Sequence, residues 1–298
     1  MRPPLGLENS IAPGKVLRLR KAIYGLKQSP QAWYHKLSLT LWDQGFRRSE
    51  ADHYLPTSLL RALWLLFSML ILIISGDNRA GIECIKSSLK STLDIKDLRE
   101  LKYFLGIEVC RCADGILLSQ TKYVIDLLNE TGLMEAKPAK TPLEDGYNVN
   151  REGEKEDEPF EDSGLYRKLV SQQMKAPTKY HWTMVERILR YLRGSLDRGV
   201  WMGKNASTEI VAYYGADWAG DRVDRRSTTG YCTFIGGNMV TWKTKKQKVV
   251  ACSTAETEYR AMRKLTNKLT WLKGLLADLD IDQLGNFSNA LVVTLTTG

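Results

Sequence analysis

Apolar and polar positions alternate at two different periods along this chain, and the period changes at recognisable turn residues. Ser29-Pro30 predicts a helix start, with Ser29 as N-cap and Pro30 at the first helical position. Trp33, Leu37 and Leu41 then recur at four-residue spacing and predict one buried stripe. From Ala62 to Ser75 fourteen residues pass without a charge. A membrane-spanning helix needs about 20 apolar residues, so this run predicts a buried strand pair or strand-helix element instead. Gly76-Asp77-Asn78 closes it as a turn. Tyr103 to Val109 is extended, Ala113-Asp114-Gly115 predicts a hairpin turn before Ile116, and Val124, Leu127 and Leu128 mark a short helix.

The second half repeats this mixture. Ile210 to Gly215 is strand-like, and Gly230 to Ile235 predicts a hairpin with Met239 to Trp242 around Gly236-Gly237-Asn238. Lys248 to Cys252 extends a third strand. Ser253 and Glu256 form a capping box for a helix whose apolar face is read as Tyr259, Met262, Leu265, Leu269, Leu272, Leu276 and Leu279. Between the halves, Glu144 to Asp162 holds nine acidic and two basic residues and predicts a solvated linker. The chain is therefore expected to be α+β.

A length of 298 residues with 43% apolar content is enough for two modest domains. The formal charge of +9 is unevenly spread. Arg222 to Lys268 alone carries eleven basic and three acidic residues, with Lys243, Lys245, Lys246 and Lys248 clustered beside Trp242 and with Arg225 and Arg226 upstream. Such a patch suits the phosphates of a polyanion; it equally suits a hairpin edge protected from aggregation by lysines. The five cysteines, at positions 84, 110, 112, 232 and 252, are odd in number and lack metal-ligand spacing. Cys110 and Cys112 share a strand face. All five are read as reduced, which implies an intracellular protein without distinguishing nucleus from cytoplasm. The start, Met1 to Gly6, has no apolar core of a secretory signal.

The stretch from Lys15 to Tyr34, which includes Ala22-Ile-Tyr-Gly-Leu-Lys-Gln-Ser-Pro30, together with Asp97 to Val109 and Leu118 to Val124, closely resembles the reverse transcriptase of copia-type retrotransposon Pol polyproteins. The resemblance implies a polymerase palm and thumb. In that family a Tyr-Val-Asp-Asp turn between two strands joins an earlier aspartate to hold magnesium. Here Phe67-Ser-Met-Leu-Ile71 stands in place of the turn, and the earlier aspartate belongs upstream of Met1, which therefore reads as an internal methionine of a parent polyprotein. Asp77 is not a convincing substitute. Tyr166 to Val170 runs directly into Ser171 where the family inserts a helical stretch with an Arg-Pro-Asp motif, so an internal deletion is inferred. Losing packed partners there predicts a poorly folded first half.

Downstream, Ala216-Asp-Trp-Ala-Gly-Asp221, Asp224-Arg-Arg-Ser-Thr-Thr-Gly-Tyr231, Trp242 to Gln247 and Ser253 to Tyr259 resemble the ribonuclease H region of the same polyproteins. That resemblance implies an α/β domain which cuts the RNA of RNA/DNA hybrids with carboxylates holding two magnesium ions. The family's leading aspartate is Gly215 here, Asp217 is read as facing away from position 215, and Glu258 matches the glutamate of the first helix while Glu256 serves the cap. The third carboxylate, in an Asp-Asn motif, has no match in Gly285 to Gly298. Glu258 and Asp217 are thus the remnant catalytic and metal candidates, and magnesium, used by the intact family, is expected not to be held.

The implied organisation is a partial reverse transcriptase over 1–143, an acidic linker over 144–163, a helical connection over 164–200 and a C-terminally truncated ribonuclease H-like domain over 201–298. The implied function is that of a retrotransposon-derived homologue inactive in both reactions. Two alternatives stay open. One is a non-catalytic protein binding RNA/DNA hybrid or single-stranded nucleic acid through Arg225, Arg226, Trp242, Lys243, Lys245, Lys246 and Lys248. The other is a residual magnesium-dependent hybrid nuclease. No membrane role is expected.

Overall fold

The computed structural model describes residues 29–49, 51, 56–58, 63–68, 71–76, 78–143, 158–169, 177–205, 207–221, 224–279, 281 and 291–294. Several sequence expectations lie outside these residues: the segment before Ser29, Asp77, the bulk of the acidic linker, the junction at Val170-Ser171 and most of the tail. Contacts divide the chain into two compact units, Met1–Arg99 with Trp271–Asp282, and Glu100–Thr270 with Gln283–Gly298.

In the first unit, α1 (Ser29–Asp43) begins at Ser29 itself rather than after it, a one-residue difference typical of helix ends. Its stripe is as expected, with Leu37 and Leu41 buried and Trp33 packed against them. The helix ends in a Schellman turn. Gly45, at φ +83°, donates to Trp42 O at 2.9 Å, and Phe46 N donates to Leu41 O at 3.1 Å. Glycine adopts that left-handed conformation without strain, and the turn folds Phe46 back onto the stripe. Short strands β1 (Arg47–Arg48) and β2 (Pro56–Ser58) precede β3 (Leu63–Ser68) and β4 (Ile71–Gly76) in one antiparallel sheet of order β1-β2-β3-β4. The apolar run is therefore a hairpin, with Ser68 paired to Ile71 at its end. Asn78 then caps α2 (Arg79–Thr92) through Oδ1, which accepts from Gly81 N at 2.9 Å. Leu37, Leu41, Phe46, Ile85, Leu89 and Leu93 close into one cluster, with Leu72 and Ile74 of β4 packed on it. Where the first half was expected to lack packed partners, its described residues enclose a core.

The second unit holds two sheets. β5 (Tyr103–Phe104), β6 (Ile107–Cys112) and β7 (Gly115–Ser119) form a meander in which the hairpin at Ala113-Asp114-Gly115 is as expected, whereas Tyr103 to Val109 is not extended throughout but turns at Leu105-Gly106; β8 (Gly199–Gly203) pairs antiparallel with β7. β8 thus spans position 200/201, where the sequence suggests a domain boundary. α3 (Thr121–Glu130), α4 (Ser163–Leu169) and α5 (Lys179–Arg193) bury Leu127, Leu128, Tyr166, Val185 and Leu189 together. The C-terminal part of the acidic segment is not solvated linker. Phe160 stacks on Trp182 with centroids 4.4 Å apart, and its N–H donates to Pro177 O at 2.9 Å. One aromatic ring prevails over its charged neighbours here, because they can stay in water while the ring is half-buried against Trp182.

The other sheet has the order β11-β10-β9-β12, built from β9 (Ile210–Ala216), β10 (Thr228–Ile235), β11 (Asn238–Lys246) and β12 (Leu291–Thr294). The first three strands are antiparallel neighbours, and β12 runs parallel to β9. The expected extension of the third strand through Cys252 does not form. β11 ends at Lys246, although the N–H of Gln247 still donates to Ser227 O at 2.7 Å in the same register, and Val249 and Val250 beyond it are half exposed. Ser253 Oγ accepts from Glu256 N at 3.1 Å at the start of α6 (Thr254–Asp278), while the Glu256 carboxylate takes the N–H of Cys252 at 2.7 Å. In the second unit the inward face of α6 is Ala261, Leu265 and Leu269; Leu272 and Leu276, which belong to the first unit, are also buried. Tyr259, 69% exposed, and Met262, 39% exposed, fall outside it, since a helix turning about 100° per residue from Ala261 carries them away. In the second unit, Ala212 and Tyr214 of β9 pack on Ala261, Leu265 and Leu269.

Candidate functional site

Strand pairing decides which candidate residues can meet. Across β9, β10 and β11, the sets Tyr214-Tyr231-Lys243 and Ala216-Thr229-Lys245 lie on one face of the sheet, and Tyr213-Cys232-Trp242 and Gly215-Gly230-Thr244 lie on the other. The first face packs α6, because Tyr214 touches its inward residues. Positions 215 and 217 have the same parity, so the expectation that they face opposite ways fails on strand alternation alone. Asp217 is set aside for a different reason. β9 ends at Ala216, and the Asp217 carboxylate accepts from Thr228 N while its own N–H donates to Thr228 O at 3.1 Å. It continues the β9–β10 pairing one residue past the strand end.

The segment after Asp217 is fastened by a buried polar network. Ser227 Oγ accepts from Ala219 N at 2.9 Å and shares a 3.1 Å hydrogen bond with Thr257 Oγ1 on α6. Gln247 Nε2 donates to Thr229 Oγ1 at 3.1 Å and to Thr257 O at 3.2 Å. Beside this network stands Glu258, whose Oε2 is buried without a hydrogen-bond partner among the described residues. The motif around Ser227 therefore holds the sheet to the helix, a role that its spacing alone did not reveal. Ser227→Ala is expected to lower stability by about 1–3 kcal/mol, read as a shift in urea midpoint, since the buried Ala219 N–H loses its acceptor.

The described residues do not fit a pair of magnesium ions. No three His, Cys, Asp or Glu side chains among them are placed to hold a metal, Asp217 is engaged with Thr228, and position 215 carries no side chain. Glu258 alone is not a two-metal ligand set.

The basic candidates separate into two groups. Lys246 pairs with Asp221 and lies 2.9 Å from Asp224, and Arg226 lies 3.6 Å from Asp224. The Lys246 ammonium holds the Asp224 carboxyl below the usual carboxylate range. Lys246 and Arg226 are thus tied into their own turn, where Arg225 adopts φ +54° and donates its N–H to Asp221 O at 2.9 Å. Lys243 and Lys245, both exposed, stand on the α6 face of the edge strand β11. Lys264 lies on α6, the helix packed on that face. Burial, then Lys245, Lys243 and Arg260, push the Lys264 ammonium below the ordinary lysine range. Trp242 is 64% exposed on the opposite face, and Lys248 is exposed beyond the end of β11. Lys264 does not stand out in the sequence, although Thr257, Ala261 and Lys264 follow one helical stripe.

No helix among the described residues is long and apolar enough to cross a membrane. Residues 1–145 match the family described as reverse transcriptase (RNA-dependent DNA polymerase). The Pol polyprotein of transposon RE2 from Arabidopsis thaliana is 36% identical over 94% of this chain and 21% of its own length. That of transposon TNT 1-94 from Nicotiana tabacum is 30% identical over 95% of this chain and 23% of its own. An uncharacterized mitochondrial protein of Arabidopsis thaliana is 34% identical over 70% of this chain and 94% of its own length. No solved structure matches. The two Pol polyproteins are retrotransposon proteins, and the chain belongs to the copia-type Pol family. It spans about a fifth of the length of the Pol polyproteins it matches.

Proposed function

We propose that this chain is a non-catalytic Pol relative whose second half is ribonuclease H-like and holds nucleic acid through its basic surface. The observation carrying the loss of catalysis is the carboxylate arrangement: glycine at 215, the Asp217 carboxylate accepting from Thr228 N, Glu258 half-buried, and no group of three metal-ligating side chains among the described residues. Three antiparallel strands followed by a helix and a strand parallel to the first support the ribonuclease H-like reading of 201–298. The match over residues 1–145 supports a partial reverse transcriptase over 1–143, with 144–163 and 164–200 connecting the two. Nucleic acid as the partner follows from the family and from the surplus of basic residues.

A labelled RNA/DNA hybrid offered with magnesium tests the reading. No cleavage and no primer extension are expected from the native chain, nor from Gly215→Asp, which restores one carboxylate and leaves the third missing. Magnesium-dependent turnover by the native chain would overturn the proposal. Residual nuclease activity has one observation in its favour, the partnerless Oε2 of Glu258, and Glu258→Gln would then abolish the cleavage.

A further inference from the structure

We infer that Lys243, Lys245 and Lys264 form one phosphate-binding rail on the α6 side of the edge strand β11, taking the sugar-phosphate backbone of nucleic acid. The inference rests on the nucleic-acid-binding reading above and narrows it to three residues and one face. Lys243 and Lys245 project to the same side two residues apart, about 6.8 Å along the strand. Lys264 stands on α6, the helix that packs on this same face of the sheet beside the buried Leu265, and after burial the charges of Lys245 and Lys243 add to the depression of its ammonium. The nearby Arg260 is occupied by Glu256 at 2.5 Å. No ion pair with a carboxylate engages the three lysines among the described residues, whereas Lys246, one position on, is neutralised by Asp221 and Asp224.

Three like charges gathered without a counter-charge repel one another, and a partly buried one is additionally disfavoured. A run of phosphates relieves both, and contact with the backbone requires only charge and reach. β11 is the edge of its sheet, so among the described residues no further strand pairs with it on this side. Trp242 and Lys246, on the opposite face, lie outside the rail despite their place in the same basic run.

The test measures binding of the full chain to a labelled RNA/DNA hybrid and to single-stranded DNA of equal length, from 50 to 200 mM salt. The triple variant Lys243→Gln, Lys245→Gln, Lys264→Gln is expected to flatten the slope of log K against log salt by about 2–2.7, three contacts at about 0.7–0.9 each. Native affinity should thus fall about 20- to 40-fold more than the variant's over that range. Lys243→Arg, Lys245→Arg, Lys264→Arg should retain binding, and Trp242→Ala should leave the slope unchanged. The same loss on both ligands marks backbone recognition; loss confined to one assigns the rail to that ligand. A native slope kept by the glutamine variant, with its melting temperature intact, overturns the rail and leaves nucleic-acid binding standing. No binding by the native chain to either ligand overturns both. Should the glutamine variant misfold, Lys264→Gln alone, which removes a charge the fold disfavours, must still flatten the slope by about 0.7–0.9, or the rail is wrong.

Discussion

Phe46→Ala is expected to lower the stability of the first unit by about 3–5 kcal/mol, the range for truncating a buried phenylalanine. Phe46 is 1% exposed and sits among Leu37, Leu41, Ile85, Leu89 and Leu93, so the lost ring leaves a cavity between two helices. The loss is a large share of a typical domain stability of about 5–15 kcal/mol. The Schellman turn adds to this: its hydrogen bonds run from Gly45 and Phe46 back into α1, and the ring is the apolar contact that holds the turn closed. Amide hydrogen exchange gives the readout, since the protection of α1 and α2 should drop together. Unchanged protection there would mean that this cluster does not form in solution. That outcome would restore the expectation, drawn from the inferred internal deletion, of a first half without a packed core.

What could be read from sequence is what neighbours along the chain determine. The α1 stripe, the Ala113-Asp114-Gly115 turn and the Ser253-Glu256 cap each depend on residues within a few positions of one another, and all three form. The misses depend on distant partners. β8 pairs with β7 across more than seventy intervening residues, which no local pattern specifies. The basic run from Lys243 to Lys248 reads as one surface because sequence shows charge without direction. Alternation along β11 sends Lys243 and Lys245 one way and Trp242 the other, and Asp221, far upstream, claims Lys246. The same blindness places Tyr259 and Met262 in the helix core: both are apolar enough, and only the phase set by Ala261 against β9 excludes them. At the carboxylates the sequence was more informative, because a missing side chain at 215 is visible without any fold.

Leu265→Ala is the corresponding test of the second unit, with an expected loss of about 2–5 kcal/mol. Leu265 is 1% exposed and joins α6 to Ala212 and Tyr214 of β9, in a close-packed interior whose neighbours relax only in part to refill the space. Leu265→Met, nearly equal in volume, should cost less than about 1.5 kcal/mol. The pair separates packing from polarity, since both replacements are uncharged and only one removes volume. In a urea titration the alanine variant should move the midpoint and leave the slope unchanged, because the surface exposed on unfolding is almost the same. Lys264 immediately precedes this residue, so the helix position that brings its ammonium to Lys243 and Lys245 depends on the same packing. Phosphate binding measured on the alanine variant while it is still folded should therefore weaken with no lysine altered, and the methionine variant should bind as the native chain does. Equal loss of binding in both variants would show that Leu265 acts on the rail by some route other than the volume it fills.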